Sequence, residues 1–150
     1  MYRHILIPTD GSELAERAVT HGVSLAKFVG AKITVLIVEE RVGTVWSTTI
    51  AEHRLAEVTA KYADEIKKHA TTVLDHVAKA AKQAGVPCDT VQVQVGDVQP
   101  YEAIIATATD RGCDLIVMAS HGRSGLSAVV LGSVTNKVLT YTKVPVLVVQ

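Results

Sequence analysis

The chain has 150 residues and a mass of 16.0 kDa, the size of one domain able to bury its own core. Apolar residues make up 48% and charged residues 20%, a balance that excludes a disordered chain or a collagen-like repeat. Lys plus Arg equals Asp plus Glu at 15 each, so no net charge draws in a polyanion, and nucleic acid is not an expected partner.

No apolar stretch approaches the roughly 20 residues that span a bilayer, so no membrane partner is expected. The first residues lack the long apolar region and small-residue cleavage site of a secretory leader. Cys88 and Cys113 are too few and too far apart for a disulfide framework or a zinc site. Beside strand-like runs they read as buried reduced thiols, and the protein is expected in the cytoplasm.

In chain order, the first predicted strand is His4-Ile5-Leu6-Ile7, closed by Pro8. Ser12 then caps a helix to about Val29, with Leu14, Ala18, Val19 and Leu25 on its inner face. The second strand is Ile33 to Val38, apolar on both faces as a central parallel strand should be. Glu39 to Thr49, with the one tryptophan, Trp46, reads as a surface loop. The longest helix is expected from about Ile50 to Ala84, with Leu55, Val58, Tyr62, Ile66, Val73 and Val77 facing inward. Thr49 and Glu52 give it a capping-box start, and Gly85 and Pro87 its stop.

Val91 to Val95 alternates valine with glutamine and suits a strand near a sheet edge. Pro100 to about Asp110 follows as a helix carrying Ala103, Ile104 and Ala108 inward, then Leu115 to Ala119 as the fourth strand. The last helix begins near Ser133, with Val134, Val138 and Tyr141 inward, and Val144 to Val149 is the final strand. This alternation predicts a single doubly wound α/β domain, a parallel sheet with helices on both faces.

Ligands of such sheets bind beyond the carboxyl ends of the strands, where the strand order reverses. The first strand ends in Pro8-Thr9-Asp10-Gly11-Ser12, and the fourth in Ala119-Ser120-His121-Gly122-Arg123-Ser124-Gly125. If these strands are neighbours, the two loops face each other. The second loop has the parts of an anion site: glycines for close backbone approach, hydroxyls, and Gly132-Ser133 opening a helix whose free N–H groups favour phosphate. Arg123 adds a charge-assisted contact. The P-loop and the Gly-x-Gly-x-x-Gly dinucleotide fingerprints are missing. Plainer roles stand beside these: Asp10 as a helix cap, Val38 and Met118 as core, and His121 as a solvated loop histidine.

With these residues in place the chain resembles the universal stress protein family, in its nucleotide-binding branch. The matching pieces are Ile7-Pro8-Thr9-Asp10-Gly11-Ser12, Asp114-Leu115-Ile116-Val117-Met118, Gly132-Ser133-Val134 and Val144-Pro145-Val146-Leu147-Val148-Val149. The branch is marked by Gly-x-x-Gly, nine residues, then Gly-Ser or Gly-Thr. This chain has Ala119-Ser120-His121-Gly122, the nine residues, then Gly132-Ser133, with alanine at the first glycine.

The resemblance implies the sheet order 3-2-1-4-5 and an adenine nucleotide, ATP foremost, with Mg2+ held mainly by phosphate oxygens. It implies that Asp10 meets the ribose or adenine edge, with Pro8 and Thr9 shaping the wall, and that the Val38 backbone reads adenine. Met118 and Ala119 would lie near the base or sugar. Gly122, Arg123, Gly132, Ser133, Val134 and Thr135 would cradle the triphosphate, with His121 among them. It also points to a homodimer through the terminal strand, an uncharged edge open to pairing. The leading expectation is therefore an ATP-binding stress-response sensor or regulator. Two alternatives are a slow ATPase or adenylate-forming enzyme using the same pocket, and a nucleotide-free interaction module.

Overall fold

The computed structural model describes residues 1–40, 51–122 and 131–150. Its elements are β1 (His4–Pro8), α1 (Glu13–Val29), β2 (Lys32–Glu40), α2 (Ala51–Ala84), β3 (Cys88–Val95), α3 (Pro100–Asp110), β4 (Leu115–Ala119), α4 (Ser133–Tyr141) and β5 (Val146–Val149). The strands form one sheet in the order β3-β2-β1-β4-β5, every neighbouring pair parallel. That is the architecture and strand order expected, with the valine–glutamine strand β3 at one edge and β5 at the other.

Strand alternation divides the apolar residues between two layers. Ile5 and Ile7, Ile33, Val35 and Ile37, and Val117 and Ala119 pack on one face with Ala18, Val19 and Val23 of α1 and Leu74, Val77 and Ala81 of α2. Leu6, Leu36, Ile116 and Met118 pack on the other with Ile104 and Ala108 of α3 and Val138 of α4. Ile5, Leu6, Ile7, Ile33 and Leu36 have no exposed surface, and burying each such side chain stabilises by about 1.5–3 kcal/mol. Gly22 lets α1 lie close on the sheet, since a Cβ there would run into Ile7 Cδ1.

Helix ends follow local chemistry. Ser12 Oγ accepts from Ala15 N–H at 3.3 Å, Glu13 and Glu16 occupy the first turn, and Gly30 closes α1 at φ 73°. Pro100 opens α3, where the Glu102 carboxylate accepts from Gln99 N–H at 2.9 Å.

Several expectations are corrected. β2 runs on to Glu40, so Glu39 and Glu40 are strand and not loop; Trp46 and the Thr49–Glu52 cap lie outside the described residues. β5 begins at Val146, because Pro145 has no N–H to give the ladder. Val58 and Tyr62 on α2 are exposed at 63% and 54%, and Tyr141 turns outward to stack on Tyr101 with ring centroids 5.5 Å apart. Cys113 is buried as expected, which pushes its thiol up to about 11, while Cys88 is half-buried and also raised by burial.

The first strand carries a buried histidine. His4 Nε2 lies 2.8 Å from Thr34 Oγ and Nδ1 lies 3.1 Å from the Arg111 carbonyl, joining β1, β2 and the α3–β4 turn. A carbonyl only accepts, so Nδ1 carries the proton and Nε2 accepts from the threonine hydroxyl. Burial, then nearby Lys32, hold the ring's pKa below its ordinary 6.5. The unfolded chain thus binds the proton first, and stability present above about pH 6.5 is lost as the pH falls towards the folded value. Thermal melts should show the melting temperature falling over this window, with a shallower fall in His4→Gln; equal slopes in both would contradict this role.

Candidate functional site

β1 and β4 are adjacent, with Ile5 opposite Leu115 and Leu6 opposite Ile116, so the loops after them share one end of the sheet. After β1, Thr9 N–H reaches the Leu36 carbonyl at 2.8 Å, and Thr9 Oγ accepts from Gly11 N–H at 3.2 Å. Asp10 Oδ1 accepts from Ser12 N–H at 3.0 Å, so Asp10 does serve the start of α1. Gly11 adopts φ 74°, and a Cβ there would stand 2.9 Å from Val73 Cγ2 and 3.2 Å from His69 Nε2. The turn is therefore clamped against α2 and needs glycine for both reasons.

After β4, Ser120 N–H donates to the Val149 carbonyl at 2.8 Å, and the Ser120 carbonyl accepts from Gly132 N–H at 2.8 Å. Thr135, 3% exposed, donates its hydroxyl to the Ala119 carbonyl at 2.9 Å. These bonds hold the first turn of α4 against the end of β4. Helix geometry leaves the first-turn N–H groups without intrahelical acceptors. The N-terminus of α4 is thus a cluster of donors with a partial positive charge, and its N-cap residue, Gly132, brings no side chain to cover them.

The two loops touch. The Cβ that Gly122 lacks would sit 2.7 Å from Asp10 Oδ2, and one on Gly132 would sit 3.0 Å from both Cα and Cβ of His121. No side chain fits at Gly122 without moving the carboxylate, and none at Gly132 without moving the His121 backbone. Pro8 and Val38 are half-buried and Met118 is 5% exposed; Val38 and Met118 belong to the α3/α4 face of the sheet. Ala119 is 8% exposed, ends β4 in strand conformation, and packs its methyl into the α1/α2 core. Alanine at this position therefore meets no left-handed backbone requirement. Ser133 and Val134 lie in the first turn of α4; Arg123 lies outside the described residues.

Of the expected residues, the fold thus gathers Pro8, Thr9, Asp10, Val38, Met118, Ala119, His121, Gly122 and Gly132 to Thr135 at one end of the sheet. Sequence reasoning missed Ser120. Its hydroxyl is buried and lies 3.0 Å from His121 Nδ1, a contact set by the rotamers of adjacent residues, for which no sequence spacing is a signal. Among the described residues no group of three or more His, Cys, Asp or Glu could hold a metal ion. Likewise, no helix among them is long and apolar enough to cross a membrane.

The model of the universal stress protein family matches residues 1–150. The chain belongs to the universal stress protein family. It is 33% identical over 155 residues to universal stress protein YxiE of Bacillus subtilis, covering both chains completely. It is 32% identical over 158 residues to universal stress protein MJ0577 of Methanocaldococcus jannaschii, covering all of this chain and 96% of that one. The solved structure of MJ0577 superimposes with a TM-score of 0.79, covering 99% of this chain and 96% of the other at 31% identity. A universal stress protein solved in complex with cAMP shares the fold at a TM-score of 0.68 and 24% identity, covering 99% and 97% of the two chains.

Proposed function

We propose that the crevice between the β1 and β4 loops binds an adenine nucleotide, ATP foremost, and that the protein acts as a cytoplasmic stress-response sensor or regulator. The observation that carries this reading is the meeting of the two loops, Gly122 against Asp10 and Gly132 against His121, beside the glycine-capped start of α4. A phosphate chain lying on these glycines meets backbone N–H groups and the positive end of the helix. The first-turn residues Ser133, Val134 and Thr135 then supply donors, and Arg123 a charge. The Asp10 carboxylate accepts from ribose hydroxyls or the base edge, while Pro8, Val38 and Met118 offer the base an apolar wall.

The residue set fits Mg2+ only through the nucleotide. The described residues offer no carboxylate cluster, and Mg2+ keeps waters and phosphate oxygens readily, so the cation would arrive on the triphosphate. Relatives of this fold include one solved with cAMP, which shows an adenine nucleotide in that protein. With β5 at an open edge of the sheet, the working form is a homodimer joined strand to strand.

Mild extraction of the native protein, followed by mass spectrometry of the released small molecules, tests the reading. An adenine nucleotide, present in the unaltered protein and lost from a Gly122→Val variant, is the expected result. A different ligand class retained equally by both would overturn it.

A further inference from the structure

The Ser120–His121 pair assigns a proton. Ser120 is 4% exposed, and its Oγ lies 3.0 Å from His121 Nδ1. Its N–H is held by the Val149 carbonyl and its carbonyl by Gly132 N–H, which fixes the backbone from which the side chain springs. A buried hydroxyl needs an acceptor for its proton, and among the described residues His121 Nδ1 is its hydrogen-bond partner. If Nδ1 carried hydrogen it would donate to Oγ and leave the hydroxyl proton without an acceptor among the described residues. The arrangement that satisfies both groups is Ser120 Oγ–H donating to Nδ1, which puts the ring proton on Nε2.

We infer that Ser120 is a positioning residue that fixes His121 as an Nε2–H donor, and that this donor serves the terminal phosphates of the bound nucleotide. The second half rests on the nucleotide reading above. His121 lies beside Gly132, its Cα and Cβ 3.0 Å from the place a Cβ on that glycine would take, so its side chain leaves the backbone next to the N-cap of α4. A donor there has the same preference for an anion as the helix end beside it. The same tautomer removes the lone pair from Nε2, so neutral His121 cannot take a proton from an attacking water. The ring therefore binds phosphate without promoting hydrolysis, as suits a sensor that must keep its ligand.

Two measurements test this. Long-range proton–nitrogen NMR of the ligand-free protein, with the His121 signals identified by their loss in His121→Ala, should show the Nε2–H tautomer, and Ser120→Ala should convert it to a mixture. Calorimetry should show Ser120→Ala and His121→Ala each weakening ATP several-fold, adenosine unchanged within two-fold, and the double variant no worse than His121→Ala. An unchanged tautomer in Ser120→Ala, additive losses, or equal loss for adenosine would overturn the proposal. Unaltered protein that binds neither ATP nor adenosine would remove the nucleotide reading and the phosphate role with it. The tautomer would then still decide whether Ser120 positions the ring.

Discussion

Gly132→Val should abolish ATP binding while the domain stays folded. A valine Cβ would begin 3.0 Å from both Cα and Cβ of His121 and 3.3 Å from the Ser120 carbonyl, tighter than ordinary van der Waals contact. Its two branching methyls would then crowd His121 and the Ser120 carbonyl, where the proposed phosphate chain must pass to reach the N–H groups of α4. The backbone itself is not strained, since Gly132 has φ −58° and ψ 152°, a conformation any residue adopts. The contact lies at the rim and leaves the two core layers intact. Affinity should therefore fall at least about 100-fold, about 2.7 kcal/mol, with circular dichroism showing the domain still folded. Calorimetry that finds the affinity unaltered would remove the phosphate cradle from this helix.

The sheet was legible in the sequence because its central strands are buried on both faces and read as uninterrupted aliphatic runs ended by Pro8, Gly and Asp. The α2 surface was not. Its apolar stripe continues through Val58 and Tyr62, yet a helix of 34 residues is about 51 Å long at 1.5 Å per residue. The nine residues of β2 reach about 30 Å, so the helix is longer than the sheet it packs on, and Val58 and Tyr62 are left exposed. Tyr141 fails for another reason: an aromatic ring at a helix end can stack on a neighbour at the surface, and Tyr101 with Lys137 above it gives that partner. Within the candidate site, glycine spacing pointed to loops that the fold brings together at one end of the sheet. It could not show that Gly122 faces the Asp10 carboxylate, because that distance depends on β1 and β4 being neighbours.

Val148→Pro should turn the proposed dimer into a monomer. Along the last strand the carbonyls of Pro145, just before β5, and Val149 accept from Ile116 of β4 and from Ser120 just after it, so alternate residues aim their backbone groups inward. Val146 and Val148 therefore present theirs to the open edge. The strand carries no charge and Leu147 is 42% exposed; Pro145 just before it blocks only one position, near the strand's start. A second copy related by a two-fold axis would lie antiparallel and satisfy both sets of groups, closing the symmetry. Proline at 148 deletes one outward N–H and costs the monomer no bond to β4. Light scattering at tens of micromolar should find the unaltered chain dimeric and the variant monomeric, with unchanged circular dichroism. A monomeric unaltered chain, or a variant still dimeric, would contradict this edge as the interface.

Adenine-nucleotide binding in the β1–β4 crevice is tested most directly by titrating the unaltered protein, freed of any bound ligand, with ATP and magnesium in a calorimeter. The donors of α4, the bare glycines and the Asp10 carboxylate together predict one site per chain with a dissociation constant in the micromolar range. ATP that produces no binding heat and displaces no fluorescent adenine analogue up to millimolar concentration would contradict it.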